Sequence, residues 1–216
     1  MSTTGGRLAP SRDGTVSIDA LLLSLGFDNP GAAARAREMI EAAGLTRAGK
    51  TGISAAKSEA AAAATSRLVR VCDSGACRSI ADASDGEMVE VANRANCSVC
   101  RGSNNRRAWS SLEAAMARRG LSRLCVVGGT SALWCEIREM NQAIELHFVE
   151  GVGRVIDERR AAVEIGWAQV VVLWAPTPLD HKVSNLFTGR LRHPRTCVAH
   201  RRGIEGLVED TLAALR

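Results

Sequence analysis

From residue 121 onward the chain alternates between two apolar patterns. Four short runs, "RLCVVGG", "IELHFVEG", "QVVVLWAP" and "RTCVAH", are rich in apolar, often β-branched residues, and "VVVLW" is apolar on both faces. They alternate with segments of helical spacing: "SALWCEIREMN", "VIDERRAAVEIGW", "PLDHKVSNLFTGRL" and "GIEGLVEDTLAAL". Such strands separated by helices predict a parallel sheet covered on both faces, in the order βαβαβαβα. The fold class read here is α/β, a four-stranded parallel Rossmann-like C-terminal domain preceded by a small helical module and a four-cysteine zinc clip.

The first half has a different rhythm. "SIDALLLSLGF" predicts a short helix capped by Ser17 and halted by "DNPG". "PGAAARAREMIEAAGL" predicts a second, with Pro30 in its first turn and Gly44 at its end. After a turn at "TRAGKTG", the alanines of "ISAAKSEAAAAATSRLVRV" predict a third short helix. Three helices with a glycine-containing turn before the third fit a helix-turn-helix, a plain packing module or a dimer interface. "NNRRAWSSLEAAMARRG" predicts a further helix, capped at Ser103 or Asn104 and stopped at Gly120. The boundaries expected are a disordered lead over 1–15, a helical module over 16–71, a cysteine segment over 72–104, and a helix plus α/β domain over 105–216.

Tyrosine is absent and aromatics make up 3% of the chain, so aliphatic side chains must supply most of the core. The net charge is +5 and the pI near 9.0, a balance that favours anionic partners. Before Gly120 there are 16 Lys/Arg against 12 Asp/Glu, and after it 12 against 11, which assigns the surplus to the N-terminal half. The opening "MSTTGGRLAPSRDG" has no apolar core, and no run approaches a membrane span, so the expectation is a cytoplasmic protein that does not enter a membrane. Seven cysteines in that compartment read as thiols or metal ligands.

Four of them are paired along the chain: Cys72 with Cys77, and Cys97 with Cys100 in "CSVC". Short turns that supply thiolates two at a time suit tetrahedral zinc, and Gly75 and Gly102 would permit the tight backbone involved. A structural zinc site is expected, tying the helical part to the sheet part because the segment has little core of its own. The alternatives are a redox pair, against which stands the lack of an apolar strand before Cys97, or four buried thiols. Cys125, Cys135 and Cys197 read as small core residues.

Around the second pair lie Arg94, Arg101, Arg106, Arg107, Arg118, Arg119 and Arg123, with a single acid, Glu113, among them. Arg101, Arg106, Arg107, Arg118 and Arg119 are the candidate nucleic-acid contacts. Arg106 and Arg107 sit in a helix first turn, where the macrodipole disfavours cations, so either phosphate contact or a solvated, acid-paired face explains them. With no aromatics interleaved, stacking on single-stranded bases is not the expected mode.

Ligands of open parallel sheets bind beyond the carboxyl ends of the strands. The four exits read "GGTS", "VEGVGR", "APTPLDHKVS" and "HRRG". The candidate ligand residues there are Gly128, Gly129, Thr130, Glu150, Gly151, Asp180, His181, Lys182, Arg201 and Arg202. Gly128 and Gly129 would let a ligand approach the backbone, although the dinucleotide pattern GxGxxG is absent. Glu150, Asp180 and His181 are the catalytic candidates, but neighbours along a helix do not face one another and cannot form one relay. His147, within a strand, reads as a satisfied core residue, as do Trp167 and Trp174.

"LCVVGGT", "HFVEG", "WAQVVVLWAPTPLDHKVS" and "TCVAHRRGIEGL" resemble a small bacterial Rossmann-like domain family of unknown function, over residues 121–216. Gly128, Gly129, Gly151 and His181 carry the likeness, while Glu150 stands where the family pattern has histidine. The resemblance implies the fold and no particular reaction. The expected protein is therefore a zinc-containing, non-catalytic nucleic-acid-binding or regulatory factor. Its sheet edge would take a small anionic ligand or a partner subunit, a second copy included. The competing expectations are an enzyme acting on a nucleotide or phosphate ester, and a scaffold.

Overall fold

A computed structural model describes residues 14–152, 156–189 and 192–216. The chain divides into two compact units, Met1–Ser103 and Asn104–Arg216. Most of the expected lead lies outside the described residues, but Thr15 already opens a strand. The first unit's sequence holds twelve Lys/Arg against eleven Asp/Glu, the second's sixteen against twelve. The basic surplus thus belongs to the second unit, because the helix carrying Arg106, Arg107, Arg118 and Arg119 is part of it.

In the first unit, β1 (Thr15–Ser17) leads into α1 (Ile18–Ser24), and α2 (Pro30–Ala42) follows a turn, with Pro30 in its first turn as expected. Ser17 is the N-cap of α1, but its side chain makes no capping bond; Asn29 caps α2 through Gly31 N–H. The third helix forms over only the middle of its predicted stretch. That stretch divides into β2 (Gly52–Ser54), a single 3-10 turn, α3 (Ser58–Ala64) and β3 (Leu68–Val71). β2 pairs antiparallel with β1, and β3 pairs parallel with β4 (Glu87–Glu90). Sheet pairing here overrides alanine's helix preference at both ends of the segment. Thr65 helps end α3 by donating its hydroxyl to the Ala61 and Ala62 carbonyls.

α4 (Gly75–Ala81) connects β3 to β4, so the polar cysteine segment is part of a small β-α-β layer. It also has a core of its own, contrary to expectation. Val71, Cys72, Cys77, Ala81, Val91, Cys97, Val99 and Cys100 form one buried cluster, beside a second around Ile18, Leu22, Ala36 and Ile40.

The second unit matches its pattern element by element. α5 (Asn104–Ala117) precedes β5 (Arg123–Val127), α6 (Ser131–Met140), β6 (Glu145–Val149) and α7 (Glu158–Trp167). Then come β7 (Val170–Trp174), α8 (His181–Thr188), β8 (Thr196–Ala199) and α9 (Gly203–Ala214). The strands form one parallel sheet in the order β6-β5-β7-β8. The central strands β5 and β7 are buried on both faces, as their sequences require. One face packs Leu124, Val126, Val172 and Trp174 against α5, α6 and α9; the other packs Cys125, Val127, Val171 and Leu173 against α7 and α8. Two polar anchors fix the turn between α6 and β6: Glu113 accepts from Gln142 and Ala143 N–H, and Trp109 Nε1 donates to Asn141 Oδ1. No described helix is long and apolar enough to cross a membrane.

Candidate metal centre and sheet edge

The four paired cysteines converge. All four are buried, and their Sγ atoms lie within 4.8 Å of one another, close enough to hold a metal ion. Each comes from a different local feature: Cys72 just after β3, Cys77 inside α4, Cys97 at the end of a 3-10 turn, and Cys100 in the turn that follows. A tetrahedral ion with metal–sulfur bonds of about 2.3 Å needs sulfurs about 3.8 Å apart; Cys72 and Cys100 are 3.9 Å apart. The Cys97–Cys100 turn closes through Arg101 N–H to Cys97 O (3.0 Å) and Ser103 N–H to Cys100 O (2.8 Å). Gly102 has φ +80°, as the turn demands, and Arg101 has φ +46°, a left-handed conformation that costs a non-glycine residue. Gly75, by contrast, simply opens α4.

The electrostatics suit thiolates in want of a cation. Burial, reinforced by the neighbouring sulfurs, pushes the Cys77 thiol up. At Cys97 burial acts the same way, but the backbone amides of Cys100, Cys72 and Val99 at its sulfur outweigh it and bring it to about 7. Arg94 is held above its ordinary value, first by Cys100 and also by Cys72, and so offsets thiolate charge from outside the cluster. The loop carrying the second pair is anchored by a residue the sequence did not advertise. Asp28 accepts from Ala92 N–H, Asn93 N–H (both 2.8 Å) and Asn96 Nδ2 (3.0 Å). The whole centre lies within the first unit, so it ties β3, α4 and the following loop together rather than linking a helical part to the large sheet.

Beside the centre is a pocket of about 420 Å³ lined by Arg70, Ser98 and Arg101, among others, with no carboxylate in its lining. Arg70 is fixed by donating to the carbonyls of Asn96 (3.1 Å) and Leu25 and by lying over the Phe27 ring. Burial first, and then the nearby Arg101, lowers its pKa. Arg101 itself is exposed. The other proposed arginines are on α5: Arg118 and Arg119 are exposed, with Arg119 donating to the Ala115 carbonyl, while Arg107 is half-buried and paired with Glu205 at 3.7 Å. Arg106 is half-buried and also engaged within the structure.

At the large sheet's edge, protein atoms pack closely against the strand-exit glycines. A Cβ on Gly128 (φ +97°) would meet Thr177 Oγ1 at 2.8 Å, and one on Gly129 (φ +93°) would meet Trp134 Nε1 at 2.6 Å. Gly151 lies against the Pro178 carbonyl, and its own carbonyl accepts from Asp180 N–H. These glycines serve loop packing. Thr130 caps α6, and Asp180 caps α8 through Lys182 N–H. His181 and Lys182 are exposed on α8. Arg201 is turned onto Glu209 and Asp210, and Arg202 is the N-cap residue of α9.

Of the catalytic candidates, Glu150 lines a cleft. That cleft, about 200 Å³ at the end of β6, is otherwise formed by Trp134, Phe148, Val149, Ile156, Arg160 and Glu164. His147 is not a core residue: β6 is an edge strand, and the exposed imidazole stacks on Trp167 (3.6 Å) and meets Glu164 Oε2 at 2.6 Å through Nδ1. Trp167 is correspondingly half-buried, whereas Trp174 is fully buried as expected. No periodic signal pairs His147 with Glu164, since they come together only across a β6–α7 packing. Cys125 and Cys197 are buried, and burial pushes Cys125 up to about 12; Cys135 is exposed on α6, not core. No family model, curated protein or solved structure matches the chain, so any statement of its function has to come from these sites.

Proposed function

We propose that the protein is a non-catalytic nucleic-acid-binding factor whose first unit is built on a structural zinc ion held by Cys72, Cys77, Cys97 and Cys100. A closed set of four thiolates suits zinc and leaves no open position for substrate. A reducing, cytoplasmic compartment would keep those thiols available. The observation that carries the reading is the Cys97–Cys100 turn. It completes the ligand set and runs directly into Arg101, an exposed residue in a strained conformation beside Arg70. Strain kept at an exposed charged residue points to use, and paired guanidiniums without carboxylates suit backbone phosphates. On this reading the contact shifts from the α5 arginines to Arg101 and Arg70.

The test is metal analysis together with binding of labelled duplex DNA, single-stranded DNA and RNA across a salt series. The expected result is about one zinc per chain, lost in Cys97→Ala/Cys100→Ala, and binding that weakens steeply with salt. Arg101→Gly relieves the backbone strain, so it should fold at least as well while weakening binding and lowering the salt slope by about one. Metal retained in the double variant sinks the zinc assignment; unchanged binding by Arg101→Gly sinks the nucleic-acid assignment.

A second reading has one observation in its favour, the His147–Glu164 pair beside the β6 cleft. A carboxylate on one imidazole nitrogen orients the other for general acid–base work on a nucleotide or phosphate ester. If this reading is right, His147→Ala removes turnover of such esters and leaves zinc content intact.

A further inference from the structure

The loop between α2 and α3 surrounds a pocket of about 490 Å³ whose cationic lining residues are Arg47, Lys50 and Lys57. Thr46 and Ser54 add hydroxyls, and among the described residues no carboxylate lines it. Lys57 Nζ is held over the loop by the Leu45 carbonyl (3.0 Å), and Arg37 donates to the Lys50 carbonyl. Gly44 (φ +71°) and Gly49 (φ +79°) make the turns. Within this lining lies an anomaly. Thr46 Oγ1 is buried with no hydrogen-bond partner among the described residues. A buried unpaired hydroxyl destabilises a fold and calls for an explanation.

The sequence here, "GLTRAGKT" over 44–51, has the spacing G-x4-G-K-T of loops that cradle phosphate. Such loops run from a strand into a helix in nucleotide hydrolases; this one runs from a helix into a strand, so the spacing alone carries no hydrolase assignment and the case rests on the pocket's charge and its orphaned hydroxyl. We propose that this pocket binds a phosphate monoester dianion, with Arg47, Lys50 and Lys57 supplying charge and the Thr46 hydroxyl donating to a phosphate oxygen. Inorganic phosphate, the phosphate of a mononucleotide and a 5′-phosphorylated strand end share that chemistry. The proposal does not rest on the nucleic-acid reading, which uses different residues.

Thr46→Val keeps the side chain's shape and removes only the orphaned hydroxyl. If the hydroxyl serves a ligand, the variant should melt at the same or a higher temperature and yet bind phosphate about tenfold more weakly. The experiment is calorimetric titration of the zinc-replete full chain with inorganic phosphate, a nucleoside monophosphate and the unphosphorylated nucleoside. Wild type, Thr46→Val and Lys50→Gln are compared, each with a melting curve. Binding of phosphate and monophosphate but not nucleoside, weakened in both variants, is the expected result. Tighter binding of the monophosphate would identify a nucleotide as the source, and equal binding the phosphoryl group alone. No phosphate binding by the wild type, unchanged binding in Thr46→Val, or a lowered melting temperature in that variant would each overturn the proposal. Thr46→Val should leave the salt slope of nucleic-acid binding unchanged, which separates the two sites.

Discussion

The two units of the chain bury different things. In the second, β5 and β7 are apolar throughout and sit between two helical layers, so aliphatic packing alone closes the core. In the first, buried residues divide between two small clusters, and half of one cluster is cysteine. A unit of about a hundred residues with a divided core has little margin, and a metal held by the four thiols, as proposed, would supply what apolar area does not. With a metal at the four thiols, the second unit's stability would be intrinsic and the first unit's conditional on the ion.

The strongest way to break this contrast is metal removal. A chelator, or Cys97→Ala/Cys100→Ala, should abolish hydrogen-exchange protection over β3, α4 and β4 while β5 and β7 stay protected. The binding energy at stake is of the order of 10 kcal/mol for a four-ligand zinc site. The converse experiment is Leu124→Ala, which removes a fully buried side chain of the large sheet. It should cost about 2–5 kcal/mol in the second unit and leave metal content unchanged. Gly151→Ala, whose new methyl would collide with the Pro178 carbonyl, should destabilise the same unit by about 1–3 kcal/mol, read as a lower denaturation midpoint.

Two smaller effects sharpen the picture of the first unit. Asp28→Ala frees the loop that presents Cys97, and should cost about 1 kcal/mol and speed metal loss to a chelator. Burial pushes the Asp28 carboxyl up, but the Asn93 and Ala92 amides and the Asn96 side chain outweigh it and hold it below its ordinary 3.8. Its contribution is therefore complete above that value and lost as pH falls through the lower folded one; acid titration of Asp28→Asn should lack this component. Arg101→Gly, the smallest effect, should raise stability by about 0.5–1 kcal/mol in urea titration.

Legibility in the sequence followed the same division. Alternation of continuous apolar runs with helical periods depends on burial on both faces, a local property of each segment, and so the large sheet was readable strand by strand. The segment 52–71 was not, because its alanines favour helix locally while its ends are strands only by virtue of partners, β1 and β4, distant along the chain. The cysteine spacing announced a ligand set, since ligand turns are short. What it did not announce was Asp28, more than sixty residues from the amides it holds, nor the pairing of His147 with Glu164. The strand-exit glycines were visible, but a glycine reports only that something comes close, and the structure shows Thr177, Trp134 and the Pro178 loop against them.

By itself, the sequence determined the α/β class, the order of the second unit's elements and the four thiols fit for a metal, because burial pattern and ligand spacing are written locally. Tertiary structure alone decided how the arginines beside the cysteines are engaged, that His147 meets a carboxylate, and which hydroxyl among the described residues is buried without a partner. Those are relations between segments far apart in sequence, and only packing brings such segments together.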